Sequence, residues 1–181
     1  MNNPARVVIL LTIAVLLMGC FAFGGASTSL AKKDLSKVVL QPDDVPETFG
    51  NQSIFAEDEA DRIFLHGDDD KVESFYGVSY LYPKDGLNLI YSVVVVFDDV
   101  ESASSVYANT SGQVNSQLHL LKDTIGDESL LFKTLSGTSF YSIWRYQEAV
   151  GWVAVITKQQ VGFGYDEILA ASKLMQERLQ E

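Results

Sequence analysis

Alternation of apolar and polar positions predicts a sheet in the central part of the chain. Segments 75–82 and 89–97 are rich in Val and Tyr, and the short segment between them contains a Pro and a Gly. Pro fixes φ and Gly accepts positive φ, so this segment predicts a hairpin turn. Connections this short exclude parallel crossovers, which makes the predicted sheet largely antiparallel. Further strands are predicted over 53–56, 129–133, 139–146 and 151–158.

Apolar positions spaced three or four residues apart predict two amphipathic helices. The first begins after Asp98 and Asp99, and the second begins after Asp166. One sheet face is the only large apolar surface predicted for them, so both helices are expected to pack there. The predicted fold class is α+β, a largely antiparallel sheet packed by two long amphipathic helices. The predicted buried stripe of the first helix comprises Val100, Ala103, Tyr107, Thr110 and Val114.

The N-terminus has the pattern of an export signal. Residues 7–18 are almost unbroken apolar sequence, preceded by Arg6 and followed by Gly19 and Cys20. The sequence Leu-Met-Gly-Cys at 17–20 resembles the lipobox of bacterial lipoproteins, although Met18 departs from the small residue usual at its position. This resemblance implies a signal peptide over 1–19 and a diacylglycerol on Cys20. Residues 20–33 are then the lipid anchor and flexible tether, and 34–181 form a single domain.

An uncleaved transmembrane anchor is the alternative to lipidation. The apolar run extends from residue 7 to residue 23, and a spanning helix needs roughly 17 to 25 residues. Both alternatives predict a membrane-attached protein whose domain lies on the extracytoplasmic face of the cell membrane or envelope.

Composition and charge limit the partners. The 181 residues are 47% hydrophobic and 20% charged, which suits one globular domain with an appendage. The net charge of -11 becomes -12 without residues 1–19, because that segment carries one cation, Arg6. An excess of carboxylates argues against nucleic acid and against anionic lipid head groups. The expected partners are the membrane, through the anchor, and an unknown protein or small ligand.

Residues able to perform chemistry are sparse. The histidines are His66 and His119, and the single cysteine is expected to be acylated, so neither a metal site nor a cofactor is predicted. The acidic run 68–70 lacks the spacing of an EF-hand loop, and no G-x-S-x-G sequence indicates a serine nucleophile. No catalytic residue is therefore predicted. A noncatalytic binding, sensing or assembly module is favoured, with an envelope hydrolase using an unidentified carboxylate site as the alternative.

Aromatic residues on the predicted strands are the best indication of a binding surface. Alternation turns some of them away from the helices, and Tyr and Trp commonly line ligand and partner surfaces. A place in the core is the alternative for each of them. The predicted ligand- or partner-binding residues are Tyr80, Tyr82, Tyr91, Trp144, Tyr146 and Trp152.

The second half of the chain carries a recurring set of local motifs. A valine-rich strand ends at 96–98, a helix begins at 100–103, a turn lies at 125–128, and Trp144 and Arg145 precede the strand at 151–154. This layout resembles the sensor-type and lipoprotein α+β domains of bacteria, and more distantly PsbP-like domains. The resemblance implies a role in binding or assembly and transfers no functional residue to this chain.

Overall fold

The structure is a computed structural model that describes residues 30–55, 71–82, 88–113, 119–121, 124–135, 137–157 and 162–181. Outside these ranges lie the predicted signal peptide, Cys20, His66, the acidic run 68–70 and the turn after residue 82. The side chain of His119 is also outside the described part. Within it, neither helix has the length and hydropathy that a bilayer-crossing segment needs.

Seven strands of the described residues form one sheet, in which every pair of neighbouring strands is antiparallel. The strands are β1 (Gly50–Ile54), β2 (Val72–Leu81), β3 (Leu89–Phe97), β4 (His119–Leu121), β5 (Glu128–Lys133), β6 (Phe140–Tyr146) and β7 (Ala149–Ile156). Their spatial order is β1-β2-β3-β7-β6-β5-β4, so two meanders meet where β3 lies beside β7. The α+β prediction is confirmed, and the predicted limits of β3 agree with the structure.

One helix follows each meander: α1 (Val100–Gly112) comes after β3, and α2 (Tyr165–Gln180) comes after β7. The carboxylate of Asp99 accepts a hydrogen bond from the backbone N–H of Ser102 at 2.7 Å, which satisfies a free donor in the first turn of α1. The beginning of α1 is thus the capped position that the sequence predicts.

The two helices lie on opposite faces of the sheet. On one, called the α2 face, Met175 and the N-terminal segment 30–46 pack over residues such as Val94. On the other, called the α1 face, Val106 packs over residues such as Val95. The expectation that both helices share a face is therefore wrong. Because residues 93–97 of β3 are buried on both sides, each face offers an apolar surface for one helix.

The buried stripe of α1 also differs from the predicted one. Val100 is 48% exposed, whereas Ser102, Ala103 and Val106 are buried. Residues 102 and 103 lie four and three positions before residue 106 on one side of α1, and this side faces the sheet while Val100 points towards solvent.

The N-terminal segment crosses the α2 face in three short 3-10 turns. Its first described residue, Leu30, is 5% exposed and already belongs to the core of that face. The hydroxyl of Tyr80 in β2 donates to the carbonyl of Leu40 at 2.8 Å. The backbone N–H of Leu40 donates to the hydroxyl of Ser92 in β3 at 3.0 Å. These bonds satisfy both backbone groups of a fully buried residue.

A charged pair joins the same segment to α2. The guanidinium of Arg178 donates to both carboxylate oxygens of Asp44, at 2.6 and 3.0 Å, and also to the carbonyl of Val39 at 3.2 Å. The Arg178 and Asp44 side chains are 24% and 14% exposed. A bidentate, partly buried ion pair holds its two side chains in one orientation, so this pair orders the N-terminal segment against α2.

Candidate ligand-binding cavity

The six aromatic residues predicted to bind a ligand do not form one surface. Side chains alternate between the two faces along each strand, and this alternation separates them. Tyr91 and Trp152 lie on the α1 face. The α2 face holds Tyr80, Tyr82, Trp144 and Tyr146.

On the α2 face, Tyr80 and Trp144 are part of the core, with 1% and 0% exposure. Burial, and secondarily the nearby carboxylate of Asp44, raises the pKa of Tyr80 to about 12. The indole of Trp144 lies directly over Gly151, where a Cβ atom would be 2.2 Å from its Cζ2 atom. Both side chains therefore have a packing role here.

The other two aromatic residues of the α2 face are half-buried at its margin. Tyr82 packs edge-on against Phe49, with 5.6 Å between the ring centroids. The hydroxyl of Tyr146 accepts a hydrogen bond from the side-chain amide of Gln147 at 3.3 Å. Their contacts are with neighbouring loops and are separate from those of Tyr91 and Trp152.

On the α1 face, a row of directly opposed residues crosses four strands. Tyr91 in β3 is opposite Ala154 in β7, Ala154 is opposite Tyr141 in β6, and Tyr141 is opposite Phe132 in β5. Ala154 is the one small side chain in this row, and it lies between two tyrosines. All four residues line one cavity. Ala154 is only 1% exposed, so the cavity is narrow where it meets this residue.

Residues of the next row and of α1 also line the cavity, which is partly open and has a volume of about 130 Å³. These residues are Trp152 and Ile143, which are opposite each other in β7 and β6, and Thr110 near the end of α1. Ser142 and Val153 also line it, and alternation points their side chains towards the α2 face, so they contribute backbone.

Both tyrosine walls are supported from behind. The ring of Phe132 stacks on Tyr141, with 4.9 Å between centroids and 6° between planes. The ring of Phe55 meets Tyr91 edge-on at 6.2 Å. Gly77 makes room for Phe55, because a Cβ at that position would lie 2.8 Å from the Phe55 ring. Neighbouring aromatic contacts of this kind hold the walls in place before any ligand arrives.

The cavity is electrically neutral at physiological pH. None of the described residues that line it carries a charged side chain. Burial raises the pKa of Tyr91 above its ordinary value, and the neighbouring Tyr141 raises it further. Burial likewise raises the pKa of Tyr141. Both phenols therefore remain protonated, and each keeps a hydroxyl that can donate a hydrogen bond.

Thr110, which lines the cavity, has a polar atom whose bonding is incomplete. The Oγ1 atom of Thr110 is buried and has no hydrogen-bond partner within the described part of the chain. A buried hydroxyl without a partner costs roughly 1–3 kcal/mol. A bound molecule with one polar group could recover that free energy.

A larger, more open groove of about 280 Å³ lies between α2 and the N-terminal segment. Its two carboxylates already have partners: Asp44 binds Arg178, and Glu167 accepts from the backbone N–H of Gly164 at 2.8 Å. The cavity at Ala154, which has the fixed aromatic walls and the buried hydroxyl, is therefore the better candidate site.

The turn at 125–128 and Arg145 form a structural corner. Arg145 donates to Asp127 at 3.0 Å and to Glu128 at 2.8 Å, so both carboxylates are paired. Gly126 has φ of +64°, and a Cβ there would overlap the Arg145 carbonyl. These contacts give a structural role to the glycine and the two acidic residues of the turn and to the arginine that faces them. Among the described residues, no group of three or more His, Cys, Asp or Glu side chains could hold a metal ion.

Two of the six residues predicted from the sequence, Tyr91 and Trp152, line the cavity, and Phe132 and Tyr141, which are not among the six, line it as well. Thr110 is predicted only as part of the buried stripe of α1, without a role in a site. The missing signal is the register of four strands, in which Ala154 separates two tyrosines.

Comparison with known proteins identifies a fold and no family. No family model matches the chain, and no curated protein sequence matches it significantly. Among solved structures, the chain is similar to the extracellular domain of PknH from Mycobacterium tuberculosis. The TM-score is 0.51 at 9% identity, over 80% of this chain and 94% of that domain. This similarity shows a shared fold with an extracellular domain, and it does not bear on the PsbP-like part of the resemblance.

Proposed function

We propose that this protein is a membrane-tethered, extracytoplasmic binding module that takes a small molecule into the cavity between α1 and the sheet. The observation that carries the proposal is the cavity itself, with aromatic walls held by their neighbours and a lining threonine whose buried hydroxyl has no partner within the described residues. Phenols with a raised pKa exchange protons poorly near neutral pH, which favours binding over acid–base catalysis.

The tethered, extracytoplasmic location has two supports. The first is the sequence that ends in Gly19 and Cys20, which has the pattern of a lipoprotein signal. The second is the fold shared with a domain whose name describes it as extracellular. Lipid on Cys20 would keep the domain at the membrane surface, and the small polar residues that follow would let it move there.

Replacement of Cys20 by Ser tests the tether. In a bacterial host supplied with a labelled fatty acid, the wild type should incorporate label and sediment with membranes. Cys20→Ser should lose the label, because serine lacks the thiol that carries the diacylglycerol. Met18→Ala is the matched control, since it restores the usual small residue beside an intact cysteine and should keep the label. Unchanged size and membrane retention in Cys20→Ser would contradict lipidation and favour the uncleaved anchor.

A mixed library of sugars, amino acids and neutral ring compounds tests the site. Compounds that raise the melting temperature of the full chain should lose their effect in Ala154→Leu, whose larger side chain would extend between Tyr91 and Tyr141 and fill the cavity. Ala170→Leu, which makes the same change in the groove beside α2, should retain the effect. Stabilisation that persists undiminished in Ala154→Leu would exclude this cavity as the binding site.

A further inference from the structure

We infer that the ligand is a flat, uncharged aromatic ring bearing one hydroxyl or N–H group, which sits above Ala154 between Tyr91 and Tyr141 and bonds to Thr110. This inference rests on the proposed function, because it takes the cavity as the binding site. Size, wall geometry, charge and hydrogen bonding each lead to this class of molecule.

Size restricts the ligand to one ring system. The cavity holds about 130 Å³. An engineered apolar cavity of about 150 Å³ binds benzene, whereas sites for drug-sized ligands occupy about 300–1,000 Å³. A six-membered ring with one substituent, or a compact fused pair such as indole, is therefore the largest suitable occupant.

The wall geometry favours a flat ring. Tyr91 and Tyr141 occupy the same row on β3 and β6, with Ala154 of β7 between them. Two strand spacings separate their backbones by about 10 Å. Side chains that rise straight from their strands keep this spacing, so a ring standing between them would lie about 5 Å from each wall. That distance is within the range of roughly 4.5–7 Å in which aromatic rings attract one another. A branched aliphatic molecule of equal volume would lose these face and edge contacts.

Charge and polarity exclude the other small molecules of this size. A buried ion needs a partner of opposite charge, and no described residue lining the cavity has one. The net charge of -11 further disfavours anions. A sugar ring has hydroxyl groups on all sides, and a lining that is mostly apolar would leave most of them without partners.

Thr110 can supply one hydrogen bond to the ring. Its side chain lines the cavity, and a rotation about χ1 would turn the buried Oγ1 atom towards the ligand. A hydroxyl can both donate and accept, so it suits either a phenolic hydroxyl or an indole N–H. A ring without such a group, for example toluene, would fit the space and leave the Thr110 hydroxyl without a partner. This difference separates specific recognition from simple filling of an apolar space.

Equilibrium binding of simple probes to the full chain in detergent micelles tests the inference. The probes are phenol, indole, toluene, benzoate and glucose. Their binding is measured from the melting temperature and from tryptophan fluorescence, since Trp152 lines the cavity. Phenol and indole should bind saturably with Kd of about 1 mM or tighter, and benzoate and glucose at least about ten-fold more weakly. Equal binding of benzoate or glucose, or no binding of phenol and indole, would overturn the inference.

Two variants locate the recognition. Thr110→Val keeps the shape of the side chain and removes the hydroxyl, so the preference for phenol over toluene should fall about five-fold while toluene binding stays the same. An unchanged preference would refute the role of Thr110. Ala154→Leu should abolish binding of both rings, and Ala170→Leu should not affect it.

The results separate this inference from the proposed function. If ring probes fail while another compound class stabilises the wild type and loses its effect in Ala154→Leu, the inference is wrong and the binding module remains. If phenol stabilises Ala154→Leu as much as the wild type, both are wrong.

Discussion

Gly151 lies in β7 beneath the indole ring of Trp144, and its replacement by alanine tests the packing of the α2 face. An added Cβ would lie 2.2, 2.3 and 2.8 Å from three atoms of that ring. Carbon atoms pack best at roughly 3.5–4.0 Å, so the ring or strand would have to shift by more than about 1 Å. Trp144 is 0% exposed, so its ring can move only by displacing neighbouring core side chains.

The expected loss of stability lies at the upper end of the range for overpacked cores. Inserting a methyl group into a filled core usually costs about 1–3 kcal/mol, and the overlap with three indole atoms favours a value near 3 kcal/mol. For a domain of this size each kcal/mol lowers the melting temperature by about 2–4 °C. Gly151→Ala should therefore melt about 6–12 °C below the wild type.

Thermal and urea unfolding, followed by circular dichroism, measure this loss. The matched control is Gly112→Ala at the end of α1, where a Cβ meets nothing within 4 Å. Alanine favours the helix over glycine, so this control should melt at or slightly above the wild-type temperature. A melting temperature for Gly151→Ala equal to that of the control would refute the packing of Trp144 on Gly151.

A double-mutant cycle isolates the contact itself. Trp144→Phe alone should destabilise the domain because the smaller ring leaves a void. In the double variant the void accepts the new methyl group, so the combined loss should be smaller than the sum of the two single losses. Additive losses would mean that the two residues act independently.

Two further predictions concern the attachment of the N-terminal segment. Arg178→Lys keeps the charge but cannot form the bidentate hydrogen bond to Asp44. Its free energy of unfolding, measured in urea, should therefore be about 1–2 kcal/mol lower than that of the wild type. An unchanged urea midpoint would contradict the role of that bond. Tyr80→Phe leaves the carbonyl of buried Leu40 without its donor and should cost about 1 kcal/mol at neutral pH. The raised pKa of Tyr80, about 12, means that the folded state keeps the proton after the unfolded chain has lost it. Its stabilisation is thus fully present below pH 10 and lost as the pH rises to 12, and urea titrations should show a shallower loss in Tyr80→Phe than in the wild type.

The sequence by itself determines the elements whose signals are local. The limits of β3 and the capped start of α1 at Asp99 follow from neighbouring residues alone, because alternation and side-chain capping act within a few positions. Short connections likewise determine that the sheet is antiparallel. The same local logic identifies Tyr91 and Trp152 as strand aromatics but cannot separate them from Tyr80 and Trp144, which are core residues.

Only the tertiary structure decides which face each helix covers and where the cavity lies. Residues 93–97 are buried on both sides, so either face can accept a helix, and the choice depends on how the two meanders meet at β3 and β7. The cavity needs Ala154 between Tyr91 and Tyr141, and Tyr91 in β3 is distant in sequence from the hairpin of β6 and β7 that holds the other two residues. Strand register is a non-local property, since a slip of one residue would turn each side chain to the opposite face.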